Sequence, residues 1–187
     1  MRPCEYLAGF DRPLLDGCRG SLEGNVSDVI SFDERVAIVT GAGGGLGRTY
    51  ALELARRGAK VVVNDLGGSV DGTGAGATMA ESVVAEIKAA GGDAFAMKGD
   101  MTDDADVAAL VAATREHFGD AIHILSHVTG GLVARKTIAE MDVDHWNHMF
   151  DLNTTSFFRM VKACEPHMPE GSAIVSIASQ AARDGGG

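Results

Sequence analysis

No apolar run in this chain approaches the roughly 18 residues that suggest a membrane helix. The opening stretch, MRPCEYLAGFDRPLLDG, has Arg2 but no apolar segment behind it, so it does not read as a secretory signal. Cysteine is sparse. Cys4, Cys18 and Cys164 are odd in number and form no C-x-x-C, which points to a reducing, cytoplasmic setting rather than a disulfide framework. Basic residues are outnumbered: 16 Lys and Arg face 26 Asp and Glu, a net charge of -10. An acidic surface repels phosphate backbones, so nucleic acid is excluded as an expected partner, as is a membrane.

What is present suits one domain. The chain has 187 residues, 45% of them hydrophobic, enough for a core. Residues 1–31 show no sustained period and contain Pro3, Pro13 and several glycines. They read as a poorly ordered extension. A docked arm, or a start site placed too far upstream of ISFDERVAIVTGAGG, are the other readings.

From residue 35 the pattern alternates. Apolar, β-branched runs at 35–40, 60–64, 93–98, 121–126 and 172–179 read as strands. Between them, helical spacing predicts helices over 46–57 (closed by Gly58), 77–90, 103–118 and about 142–164. A glycine-rich loop, DLGGSVDGTGAG, follows the second strand. Strands alternating with helices predict an α/β fold: a doubly wound parallel sheet, Rossmann-like, over residues 32–187.

The segment TGAGGGLG, residues 40–47, lies between the first strand and the first helix. Gly41, Gly45 and Gly47 allow a tight turn and a close backbone approach to a pyrophosphate, and the helix beginning at Leu46 offers unpaired N–H groups and a positive dipole end. A glycine turn alone is weak evidence, because it can simply connect two elements. Asp65 strengthens it. It ends the second strand about 20 residues on, where a carboxylate accepts from ribose hydroxyls. A 2′-phosphate would meet like charge there, so NAD is expected over NADP, with Arg48 the one feature that favours NADP. Asp100 ends the third strand. It faces an adenine edge together with the Met101 backbone, or joins Thr102 and Asp103 in starting the next helix.

TGAGGGLG, Asp65, GDMTD, DLNTTSFF and SAIVSIAS stand in the order seen in short-chain dehydrogenases/reductases, and residues 33–187 resemble that family. The stretch VVVNDLGGSVDGTGAG further looks like the dehydrogenase module of peroxisomal multifunctional enzymes acting on 3-hydroxyacyl-CoA. The resemblance implies an NAD(P)-dependent oxidoreductase passing hydride between nicotinamide and a small-molecule alcohol or ketone, with a 3-hydroxyacyl or steroid-like substrate in view, and a homo-oligomeric assembly. It assigns Asn153 to a water-holding proton relay and Ser179 to the substrate oxygen, with Ser176 as the competing serine. Thr129 and Gly130 fall on the loop that passes the cofactor.

Two departures stand out. The family's Tyr-x-x-x-Lys is missing: the tyrosines are Tyr6 and Tyr50, neither with a lysine four residues on. The sequence therefore reads as a fragment, truncated after the fifth strand and inactive alone. A catalytically dead dinucleotide-binding module and a truncated product are the alternatives. The second departure is SHVTGG, with His127, Val128, Thr129 and Gly130 where the family has Asn-Asn-Ala-Gly. His127 either takes over a bracing hydrogen bond of the lost asparagine, sits near the nicotinamide ribose, or marks only a variant core turn. No metal site is expected. His145 and His148, one helical turn apart, read as exposed. No G-x-S-x-G surrounds Ser179, which argues against a hydrolase nucleophile.

Overall fold

The computed structural model describes residues 30–67 and 78–184. The expected extension, apart from its last two residues, most of the glycine-rich loop and the three final glycines lie outside the described residues.

Five short runs form one parallel sheet: β1 (Val36–Thr40), β2 (Lys60–Asp65), β3 (Ala94–Lys98), β4 (Ile124–His127) and β5 (Ala173–Ser176), in the order β3-β2-β1-β4-β5. Parallel neighbours cannot be joined by a tight hairpin, so helical crossovers connect them. The crossover helices are α1 (Gly45–Arg56), α2 (Thr78–Ala89) and α3 (Asp104–Phe118). The last crossover holds α4 (Val143–Phe150), a π turn (Asp151–Thr155) and α5 (Ser156–Cys164). The doubly wound architecture expected from the alternating pattern is the one found.

Strand alternation explains why β1 is apolar along its length. Ala37 and Val39 pack with Val61 and Val63 of β2 and with Ala51, Ala55, Val83 and Ile87 of α1 and α2 on one face. Ile38 and Val62 point the other way, onto Val107, Leu110 and Val111 of α3 and Met160 and Cys164 of α5. A strand covered on both sides has no solvent face to make polar.

β5 differs. All four of its residues are exposed, and Ile174 and Val175 keep 40% and 50% of their surface in solvent. As the outer strand, β5 leaves one side of its backbone unpaired as well as its apolar side chains bare. The strand is also shorter than expected. It stops at Ser176, with Ile177 N–H giving a last bond of 3.3 Å to the His127 carbonyl, so Ser179 lies beyond the ladder rather than at its end.

The predicted helix over 142–164 exists but is not uniform. Its backbone stays right-handed through the junction, with φ -64 and ψ -46 at Asp151 and φ -58 and ψ -43 at Ser156. The Ser156 N–H bonds to the Asp151 carbonyl, five residues back, which is the π pattern.

Candidate cofactor-binding site

Strand order reverses direction at β1: the chain proceeds from β1 to β2 and β3 on one side, and β4 and β5 lie on the other. At such a switch point the loops leaving the strand ends diverge and open a crevice. The turn after β1 and the loop after β4 come together at this point.

The β1–α1 turn is closely packed. Gly41 has φ +62, a left-handed conformation that costs glycine nothing, and a Cβ there would lie 3.0 Å from the Thr129 nitrogen. The turn therefore touches the β4 loop directly. A Cβ on Gly47 would lie 2.1 Å from the Gly41 carbonyl oxygen, so the first turn of α1 packs down on the strand end only because that residue is glycine. Gly44 caps α1 without any side-chain bond, and its first turn carries no acidic residue. The N–H groups there are free of carboxylate competitors, and an anion is favoured.

Asp65 sits on the last rung of β2, opposite Lys98. Its Oδ2 accepts from Gly43 N–H at 2.8 Å and its Oδ1 from Gly67 N–H at 2.8 Å. One carboxylate thus braces both the phosphate-type turn and the start of the glycine-rich loop. Each oxygen keeps a second lone pair for hydroxyl donors. Arg48 is turned away to Glu86, 2.5 Å distant, in an exposed pair.

At the end of β3, Asp100 Oδ1 accepts from Thr102 N–H at 2.9 Å and Thr102 Oγ1–H at 2.8 Å, while Asp100 N–H donates to Asp106 Oδ2 at 2.7 Å. Asp100 is thus part of the turn that leads into α3. The cap itself is Asp103, whose Oδ1 accepts from Ala105 and Asp106 N–H. Asp100 Oδ2 has no partner among the described residues. The Met101 side chain is core, 1% exposed, which leaves its backbone as the part able to meet a ligand. Neighbouring Asn64 is buried, its Nδ2 donating to the Met97 and Gly99 carbonyls at 3.2 Å each.

His127 is 1% exposed. Its Nδ1 lies 3.1 Å from Thr40 Oγ1 and its Nε2 lies 3.1 Å from Ser156 Oγ. Of the readings offered by the sequence, bracing is the one the geometry matches. Burial disfavours the charged ring and pushes its pKa down to about 4.

Asn153 lies in the π turn and is exposed. Its Oδ1 accepts from Gly131 N–H at 2.9 Å, and its Nδ2 donates to the Gly131 carbonyl at 3.1 Å and the Met149 carbonyl at 2.9 Å. The amide clamps the loop after Gly130, where a Cβ would meet Asn153 Oδ1 at 2.8 Å. Gly41, Gly45, Leu46, Gly47, Asp65, Thr129, Gly130 and Asn153 are therefore brought to one end of the sheet, and Asp100 follows through Gly99 N–H, 3.4 Å from the Asp65 carbonyl. Ser179 stands apart: its Oγ accepts from Ala181 N–H at 3.1 Å, and among the described residues no hydrogen bond ties it to Asn153 or to the glycine turn.

Sequence reasoning missed Thr40, Gly43 and Ser156. A threonine closing an otherwise apolar buried strand was the available signal for Thr40.

Comparisons with known proteins bear on the fold and the family. The short chain dehydrogenase family model matches residues 35–187. The chain belongs to that family. A Mycobacterium tuberculosis protein named as a short-chain type dehydrogenase/reductase is 41% identical over 139 residues, covering 74% of this chain and 48% of the relative. The peroxisomal multifunctional enzyme type 2 of Drosophila melanogaster is 43% identical over 139 residues, 74% of this chain and 22% of that enzyme. A solved 7α-hydroxysteroid dehydrogenase, in complex with NADH and 7-oxo glycochenodeoxycholic acid, superposes with a TM-score of 0.74 at 32% identity, over 83% of this chain and 57% of that one. The chain spans about half the length of the mycobacterial relative and less of the multifunctional enzyme. Among the described residues no helix is long and apolar enough to cross a membrane.

Proposed function

We propose that residues 32–187 form one dinucleotide-binding domain that takes NAD in preference to NADP. The observation that carries the reading is the 2.8 Å bond between Gly43 N–H and Asp65 Oδ2. It sets a carboxylate suited to ribose hydroxyls directly against a turn suited to a diphosphate. The residues fit the group: the Gly47 position has no room for a side chain, and the start of α1 has neither a side-chain cap nor an acid. Gly41, Gly45, Leu46 and Gly47 would hold the diphosphate, Asp65 the adenosine ribose, the free Asp100 Oδ2 and the Met101 backbone the adenine edge, and Thr129 and Gly130 the nicotinamide side. The Asp65 charge disfavours a 2′-phosphate, and the Arg48–Glu86 pair leaves Arg48 engaged elsewhere.

A bound nicotinamide supplies the hydride donor or acceptor for an alcohol–ketone couple. A hydroxysteroid is the substrate class suggested by the similar hydroxysteroid dehydrogenase, and a 3-hydroxyacyl substrate is the class implied by the resemblance of the glycine-rich cofactor loop. Asn153 would serve the proton relay through the second lone pair of Oδ1, since both of its amide protons are in use. Ser179 would bind the substrate oxygen once released from Ala181 N–H. No Tyr-x-x-x-Lys occurs in the 187 residues, and a positioned general acid contributes roughly 10²–10⁴-fold. The 187-residue chain is therefore expected to bind NAD without turnover, and the active, homo-oligomeric enzyme requires that Tyr and Lys. The buried, unpaired Cys164 suits a reducing compartment such as the cytoplasm.

Isothermal titration of the chain with NAD and with NADP tests the reading. The expected result is tighter binding of NAD. Preference for NADP overturns the cofactor choice, and binding of neither overturns the site.

A further inference from the structure

We infer that His127 is a positioning residue, which through its two ring nitrogens fixes the β4 loop and the π turn of Asn153 in one relative placement. The inference goes beyond cofactor binding, and only the affinity measurement described below rests on that reading.

The proton positions follow from one bond. In the π turn the Ser156 N–H reaches the Asp151 carbonyl, so it does not take the Leu152 carbonyl four residues back. Ser156 Oγ–H donates to that carbonyl instead, at 2.7 Å. A hydroxyl has one proton. Ser156 Oγ can therefore only accept from His127, and Nε2 carries the hydrogen. In a neutral imidazole Nδ1 is then bare, and it accepts the Thr40 hydroxyl proton. Thr40 Oγ1 has two lone pairs left, and two backbone donors face them: Val128 N–H at 3.1 Å and Thr129 N–H at 3.2 Å. Each hydroxyl and ring proton from Leu152 to Thr129 has one place.

A charged ring breaks the pattern. Nδ1–H would point at Thr40 Oγ1, which would then face three donors with two lone pairs. One of the two loop N–H groups, or the ring itself, would lose its partner in a buried site.

The consequence reaches the crevice at both ends of one short loop. Thr129 N–H, held by Thr40, lies where Gly41 comes closest. Gly131, two residues on, is gripped by Asn153 from the π turn whose Leu152 carbonyl Ser156 satisfies. His127 is the link between the two grips. The family's sequence pattern places asparagine at this position, so the imidazole is a feature of this chain.

The two nitrogens can be separated experimentally. In His127→Asn the amide reaches about as far as Nδ1 and keeps the Thr40 bond. In His127→Gln it reaches about as far as Nε2 and keeps the Ser156 bond. The experiment is nitrogen-15 NMR of the full 187-residue chain. It reads the ring tautomer in the native protein, then amide hydrogen exchange in both variants, with NAD affinity by calorimetry alongside. The expected results are a neutral ring with Nε2 protonated and Nδ1 bare, and exchange about tenfold faster at Val128 and Thr129 in His127→Gln. In His127→Asn the faster exchange is expected at Asn153–Phe157 instead. NAD affinity is expected to drop about tenfold in His127→Gln, with a smaller loss in His127→Asn. A protonated Nδ1 in the native chain, or the same exchange pattern in both variants, overturns the proposal. If the variants fail to fold, the native tautomer alone decides. If the native chain does not bind NAD, the cofactor reading fails while tautomer and exchange still judge His127.

Discussion

Gly43 and Asp65, 22 residues apart in sequence, are joined by a 2.8 Å hydrogen bond from the glycine N–H to a carboxylate oxygen. A Cβ on Gly43 would lie 2.8 Å from both Asp65 Cγ and Oδ2, so the approach depends on a glycine in the turn as well as an acid on β2. Asp65 therefore shapes the turn in addition to presenting charge to the crevice.

Asp65→Asn separates those two roles. The amide keeps the size of the carboxylate and one accepting oxygen, and it removes the charge. NAD affinity is expected to fall about tenfold or more, with the disadvantage of NADP shrinking, because charge-assisted bonds are about twice as strong as neutral ones. Parallel titrations with both dinucleotides check it. An unchanged NAD to NADP ratio would remove Asp65 from cofactor choice.

Two glycines in the same turn should respond differently to alanine. Gly47→Ala sets a methyl 2.1 Å from the Gly41 oxygen, and backbone must move. Its loss of stability is expected to reach roughly 3 kcal/mol, with cofactor binding lost. Gly45→Ala meets nothing within 4 Å, though φ is +51, so it bears only the left-handed backbone strain of about 1–2 kcal/mol. Urea unfolding of both variants orders them. Equal losses would mean that α1 is not packed on Gly41 as described.

The neutral His127 ring makes stability depend on pH in a definite direction. Its folded pKa, about 4, lies below the usual 6.5, so between those values the unfolded chain binds the proton more readily. This contribution is complete above pH 6.5 and is lost as pH falls toward 4. The groups bonded to or stacked on the ring (Thr40, Ser156 and Phe157) are uncharged, and burial alone sets the shift. At about 1.4 kcal/mol per unit, the loss is on the order of 3 kcal/mol. Urea unfolding from pH 7 to pH 4 should show the decline in the native chain and a shallower one in His127→Asn. Parallel declines would contradict the assignment.

Cys164 should be silent toward thiol reagents. The side chain is fully buried between α5 and the sheet, and burial pushes its pKa up to about 12, leaving almost no thiolate at neutral pH. Iodoacetamide labelling read by peptide mass spectrometry should modify Cys164 only after unfolding. Labelling of the native protein at this position would show that α5 opens readily.

The fold was legible because its signals are local and repeated. Val61, Val62 and Val63 announce a strand covered on both faces, and a glycine stops α1 and α3 where periodicity ends. Gly41, Gly45, Gly47 and Asp65 were legible because their spacing reflects a turn and a strand length. The Thr40–His127–Ser156 chain was not. Its members lie 87 and 29 residues apart, and only the pairing of β1 with β4 and the packing of α5 bring them together. The π turn was hidden too: DLNTTSFF holds no glycine or proline to mark a break, and the shift shows only in the Ser156 N–H reaching Asp151 while the Ser156 hydroxyl takes the Leu152 carbonyl. Ser179 was placed at a strand end from an apolar run that continues past the ladder. The run extends because Ile177 still bonds to β4, after which Ser179 turns to Ala181.

The most direct measurement is a crystal structure of the chain grown with NAD. The account predicts the diphosphate against the N–H groups at Gly45–Gly47 and the adenosine ribose hydroxyls within hydrogen-bonding distance of Asp65. Density for the dinucleotide elsewhere, or a crevice closed by its own side chains at saturating NAD, would contradict it.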